Sequence, residues 1–149
     1  MFKDKNWQIF LMVVIPLVLS ACQSANTPIN DVKPSEIGKE VKVENGTYKD
    51  ISVDELQTLL KMKDVVLVNV HIPFEGNLPN TDLSIPYDTI SQKTDLLPED
   101  KSADIVLYCR SGNMSTSASK ELVELGYTNI LNLVGGMAAW ENEGLPIDR

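Results

Sequence analysis

The most reactive side chain in this sequence belongs to Cys109, and its surroundings decide what the thiol can do. It ends the apolar run Ile105-Val106-Leu107-Tyr108 and is followed by Arg110-Ser111-Gly112-Asn113-Met114-Ser115. The run reads as a strand, and the pattern from Ser115 to Leu125 reads as a helix. Cys109 therefore falls at the carboxyl end of a strand, where open α/β sheets place their ligands. Small residues and a glycine between strand and helix let successive backbone N–H groups turn inward as an anion-binding nest. The start of the helix adds partial positive charge at the same point. A thiol held there is favoured as thiolate, the form that attacks sulfur, and the same amides would hold the terminal anionic sulfur of a persulfide. A strand-end cysteine taken alone is more often a small buried apolar residue. The order strand, cysteine, glycine-bearing loop, helix is what marks this one as reactive.

Other chemistries find no support. With one histidine in the chain, Cys/His metal clusters are not available. No dinucleotide or P-loop glycine pattern occurs. Ser111, Ser115 and Ser117 have no His–Asp context for a triad. No cofactor and no metal are expected. A net charge of −8 argues against nucleic acid, since phosphate binding needs clustered Lys and Arg. It gives no help in gathering anionic substrates either.

The elements that must position Cys109 occupy the last two thirds of the chain. Residues 1–22 read as an export address. Lys3 and Lys5 supply a positive start, and the run Ile9 to Leu19 is apolar but shorter than the ~20 residues a membrane span needs. Leu19-Ser20-Ala21-Cys22 then resembles the bacterial lipobox, which implies lipidation of Cys22 and cleavage before it. Several acyl chains on one cysteine give stable anchoring. The resemblance implies a protein at a cell membrane, facing outside the cytoplasm. A disulfide between Cys22 and Cys109 is the alternative use of two cysteines. Residues 23–47, rich in Asn, Thr, Lys and Glu with Pro28 and Pro34, read as a flexible tether, with a short edge strand near Glu40–Glu44 as the alternative. Residues 48–149 read as one domain.

Strand and helix signals alternate through that domain, which predicts a parallel sheet covered on both faces. Ser52-Val53-Asp54-Glu55 is a capping box, followed by Leu56, Leu59 and Leu60 on one helical face. Val65–Val70 is a near-continuous β-branched run, as a buried parallel strand requires. Ala118, Leu122 and Leu125 share a helical face, and Gly126 ends that helix. Asn129–Val134 is a further strand. Gly135-Gly136 turns into a short helix through Trp140.

Here a family can be named. Cys109-Arg110-Ser111-Gly112-Asn113 with Ser115 resembles the active-site loop of single-domain rhodaneses. Val134-Gly135-Gly136-Met137-Ala138-Ala139-Trp140 through Gly144-Leu145-Pro146 resembles their C-terminal signature. The resemblance, from about Ile51 to Ile147, implies an α/β, rhodanese-like fold with a five-stranded parallel sheet and helices on both faces. It implies that Cys109 takes the outer sulfur of thiosulfate, a polysulfide or a persulfide, and passes it to a thiol or other nucleophilic acceptor. The backbone amides of Arg110, Ser111, Gly112, Asn113, Met114 and Ser115 would hold that sulfur. The six-residue loop matches sulfur-transferring members rather than related phosphatases, whose loop is longer. The tail motif is read as core packing, with Trp140 as a large apolar anchor.

Three departures bear on donor choice. Met114 stands where many rhodaneses have Arg, removing a fixed cation. Asn69-Val70-His71 replaces the usual Asp-Val-Arg, and His71 is read as structural. Gly76-Asn77-Leu78-Pro79-Asn80-Thr81 is a degraded form of a Gly-His-Ile-Pro-Gly-Ala segment, with the helix before it cut to a few residues around Pro73-Phe74-Glu75. Glu75 and Asp82 are read as solvated loop charges, with a place at the mouth that favours neutral or cationic partners as the alternative. A monomer is expected. Two other functions stay open: a non-catalytic rhodanese-like module that binds a partner at the membrane, and redox sensing by Cys109.

Overall fold

The computed structural model describes residues 37–62 and 64–149. Cys22 and the expected signal segment lie outside the described residues. The elements in chain order are β1 (Lys39–Val43), β2 (Gly46–Ile51), α1 (Val53–Met62), β3 (Val66–Asn69), β4 (Leu83–Ser84), β5 (Ile105–Tyr108), α2 (Asn113–Glu124), β6 (Ile130–Leu133) and α3 (Gly136–Asn142). Two short 3-10 turns, Ile90–Gln92 and Thr94–Leu96, precede β5.

The sheet has six strands in the order β1-β2-β6-β5-β3-β4. Five of them, β2 to β4 in that order, run parallel. The sixth, β1, pairs antiparallel with β2 in a hairpin, from Lys39 opposite Asp50 to Val43 opposite Gly46. The expected all-parallel five-stranded sheet is thus present but extended into a mixed sheet. β1 and the start of β2 lie ahead of the expected boundary at residue 48. Val41 and Val43 pack against the core, Glu40 and Lys42 alternate with them, and Lys39 is exposed. Charges on an exposed edge strand protect it from pairing with other chains, and they give it the composition of a linker.

The central strands are buried on both faces, as their β-branched content requires. Side chains alternate along β5: Ile105, Leu107 and then Cys109 face one layer, Val106 and Tyr108 the other. The first layer holds Ala118, Leu122 and Val123 of α2. The second holds Val53, Leu56 and Leu59 of α1 and Met137 and Trp140 of α3. Helices therefore cover both faces, and the period of two on β5 delivers Cys109 to the face under α2. Leu125, expected on the apolar face of α2, is exposed, because the helix stops at Glu124 and Val123 fills the core position instead.

The capping box forms. Glu55 N–H donates to Ser52 Oγ at 3.3 Å and Ser52 N–H to Glu55 Oε2 at 2.8 Å. The other Glu55 oxygen accepts from Gly38 N–H at 2.9 Å, tying the entry of the hairpin to α1. Burial pushes the Glu55 carboxyl up, but bonds from the Ser52 and Gly38 backbones, the Ser52 hydroxyl and the charge of Lys49 outweigh it and hold the group below its ordinary value.

No helix forms between Asn69 and Leu83 among the described residues. That stretch contains a cis Ile72–Pro73 peptide and an antiparallel bridge from Asn77 to Asp148. Asn77 N–H donates to Asp148 O at 2.7 Å and Asp148 N–H to Asn77 O at 2.8 Å. No described helix is long and apolar enough to cross a membrane.

Candidate functional site

Cys109 is 1% exposed. Its Sγ accepts the Gly112 N–H at 3.1 Å and lies 3.6 Å from the Ser115 hydroxyl. That hydroxyl also reaches Gly112 O at 3.0 Å, and its single proton can serve only one acceptor at a time. Negative charge on the sulfur would draw the proton to Sγ. Gly112 makes the turn: its φ of 99° is left-handed, and a Cβ there would meet Gly135 N at 3.3 Å. α2 starts at the next residue, and the first-turn amides of Asn113, Met114 and Ser115 have no intrahelical acceptor.

The tail motif supports this loop from behind. Met137 N–H donates to Cys109 O at 2.9 Å and Ala138 N–H to Arg110 O at 3.0 Å. A trans peptide sets each C=O antiparallel to the next N–H. Pinning these two carbonyls on α3 therefore turns the N–H groups of Arg110 and Ser111 to the opposite side. The approach is so close that a Cβ on Gly136 would lie 2.1 Å from Cys109 O. Core packing, the expected role of the tail, is also seen: Trp140 is 5% exposed and its indole N–H donates to Pro146 O at 2.8 Å. The support of the loop was missed, although two adjacent glycines opening a helix were its signal.

The six expected loop residues play different parts. Gly112 and Ser115 reach the sulfur, the latter through its hydroxyl. Ser111 and Asn113 are exposed, and Met114 packs its side chain partly against the core. Arg110 turns to carboxylates: its Nη1 lies 3.2 Å from Glu141 Oε2 and 3.5 Å from Glu75 Oε2. Glu141 is paired on its other oxygen with Arg149. Glu75 Oε1 lies 3.6 Å from His71 Nε2, whose side chain is buried. Glu75, expected as a solvated charge, is therefore part of the rim. Asp82 is not: its Oδ2 accepts the Leu67 N–H of β3 at 2.8 Å.

The other wall of the site hangs from two side chains. Asn69 Nδ2 donates to Gly76 O and Asn77 Oδ1, each at 2.9 Å, and its Oδ1 accepts the His71 N–H at 2.9 Å. An aspartate could accept the last bond but could not donate the first two, so the amide suits this loop. The Tyr108 hydroxyl accepts the Leu78 N–H at 3.0 Å and lies 2.7 Å from Thr81 Oγ1. Burial pushes the Tyr108 phenol up; the bonds to Thr81 and Leu78 pull the other way, and the charge of Asp148 adds to the rise.

A cleft of about 290 Å³, lined by Tyr48, Lys49, Asp104 and Asn129 among others, lies at the opposite end of the sheet from Cys109. Its position sets it apart from the thiol. Among the described residues no cluster of His, Cys, Asp and Glu could hold a metal ion.

Fold and loop together define an open α/β domain with a thiol under the Gly112 amide and beside the Ser115 hydroxyl at the carboxyl edge of its sheet. The model of the rhodanese-like domain matches residues 52–143, and the chain belongs to the rhodanese-like family. It is 40% identical over 94 residues to a sulfurtransferase of Allochromatium vinosum, a match covering 61% of this chain and 85% of that protein. A rhodanese-like domain protein from Staphylococcus aureus superposes with a TM-score of 0.55 at 35% identity, over 68% of this chain and 99% of that one. A rhodanese-related protein from Thermoplasma volcanium gives 0.58 at 30% identity, over 67% and 97%.

Proposed function

We propose that this domain is a sulfurtransferase or sulfane-sulfur carrier that forms a persulfide on Cys109. The observation that carries the reading is the Gly112 N–H on Sγ at 3.1 Å, with the Ser115 hydroxyl beside it. Donors fixed by the fold stabilise charge on sulfur without reorganising during the reaction. In the first step the Cys109 thiolate attacks the outer sulfur of a donor such as thiosulfate. The new Sγ–S bond forms as the donor S–S bond breaks, and sulfite leaves with the electron pair. Cys109 then carries an anionic outer sulfur under the loop amides. In the second step a thiolate or other nucleophile attacks that sulfur, and Sγ leaves as the thiolate it was. No oxidant and no cofactor are needed.

The domain is further proposed to work as a monomer outside the cytoplasm, held at a cell membrane by lipid on Cys22. The support is the lipobox-like Leu19-Ser20-Ala21-Cys22. Incorporation of labelled palmitate, lost in Cys22→Ser, tests that part.

The sulfur chemistry is tested by incubating the protein with thiosulfate and, separately, with polysulfide, then weighing it by intact-mass spectrometry. One added sulfur atom is expected, removed by cyanide or dithiothreitol and absent in a folded Cys109→Ser variant. Loading that persists in Cys109→Ser would sink the reading. No loading of the folded protein by either donor would leave a binding module, a role consistent with an Arg110 already occupied by two carboxylates.

A further inference from the structure

The charges at the mouth bear on which donors the thiol can meet. Thiosulfate brings two negative charges to a thiolate, and sulfite carries them away. A site that favours it needs cations free to face the donor. The loop from Cys109 to Ser115 offers one cationic side chain, Arg110. Its Nη1 is shared between Glu75 Oε2 at 3.5 Å and Glu141 Oε2 at 3.2 Å. Met114 adds no second cation, since it is apolar and packs partly on the core. Beside Glu75 stands Phe74, 62% exposed, an apolar surface suited to carbon and not to an oxyanion.

We infer that Glu75 and Glu141 are specificity-determining residues that occupy Arg110 and set the site against dianionic donors, in favour of organic hydropersulfides. The inference rests on the sulfur-carrier reading. With such a donor, the Cys109 thiolate attacks the outer sulfur of R–S–SH, the S–S bond breaks, and R–S⁻ leaves. The outer sulfur keeps its proton as Cys109–S–SH, so the protonated donor brings no charge and the thiolate's own charge departs on R–S⁻. The rim never has to hold more than one.

Removing one carboxylate charge from Arg110 changes the balance for a dianion about twice as much as for a monoanion, and hardly at all for a neutral donor. Since Arg110 and Glu75 are nearly half exposed, solvent screens the effect to about tenfold in rate rather than hundreds.

The test uses the full chain and its Glu75→Gln and Glu141→Gln variants. Rapid quenching and intact-mass spectrometry give the rate of sulfur loading from thiosulfate and from benzyl hydropersulfide, which brings at most one negative charge. The ratio of the thiosulfate rate to the hydropersulfide rate is expected to rise about tenfold in Glu75→Gln, and the rise should shrink as salt is added. Glu141→Gln should move the ratio the same way, which guards against a folding defect in either single variant. An unchanged ratio in both folded variants, with loading intact, overturns this inference and leaves the sulfur-carrier reading standing. Loading from neither donor, in wild type and variants alike, overturns both.

Discussion

Cys109 stands between two walls built by different means. On one side the loop from Cys109 to Ser115 is held by backbone: α3 amides grip the Cys109 and Arg110 carbonyls, and glycines let the chains touch. On the other side the segment from His71 to Asp82 is held largely by side chains, chiefly Asn69, Tyr108 and Thr81, beside a backbone bridge from Asn77 to Asp148. Backbone amides cannot be altered by substitution without breaking the turn that aims them. Side-chain anchors and rim charges can change one at a time. The first wall suits chemistry common to a family; the second suits choices particular to one member.

This contrast can be broken by attacking each wall in turn. Gly136→Ala should have the largest effect, because its Cβ would collide with Cys109 O. A loss of about 3 kcal/mol or more in denaturant unfolding is expected, together with loss of sulfur loading even where the protein still folds. Stability near wild type with normal loading would show that the backbone wall is softer than its contacts suggest. Tyr108→Phe strikes the side-chain wall. It strips the buried Leu78 N–H of its acceptor, at a cost of about 1–3 kcal/mol, and loading of Cys109 should survive. Ser115→Ala sharpens the comparison at the sulfur itself. Gly112 O keeps its bond from Thr116 N–H, so stability should move by less than about 1 kcal/mol. The loading rate should fall about tenfold, near 1.4 kcal/mol of barrier. The smallest effect belongs to Glu55→Gln, which touches neither wall. The Glu55 carboxyl is held below its ordinary value in the fold. Its contribution is therefore present above the ordinary carboxylate range and is lost as pH falls through the lowered value. Glu55→Gln should flatten the acid side of the stability profile and leave loading rates alone.

The elements of the backbone wall were legible, though the grip of α3 on the Cys109 and Arg110 carbonyls was not. The largely apolar runs in β3, β5 and β6, the capping box at Ser52 and Glu55, and the two glycine turns are local patterns, and the structure places each where its period requires. The side-chain wall was not legible, because its bonds join residues far apart in the chain. Nothing local to Glu75 or Glu141 says that both reach Arg110, and nothing local to Leu78 says that its N–H meets Tyr108. β4 escaped notice because two residues carry no period, and β1 stood only as the alternative to a tether because Lys and Glu outnumber its valines.

The bridge between Asn77 and Asp148 has a consequence for how the mouth moves. Each residue is donor and acceptor to the other, so an opening that separates the two segments frees both amides at once. Asp148 follows closely on Pro146, which α3 holds through Trp140. The segment lining one wall and the end of the chain behind the other should therefore breathe as a unit. Their amide protons should exchange at one shared rate, set by a single opening of the mouth.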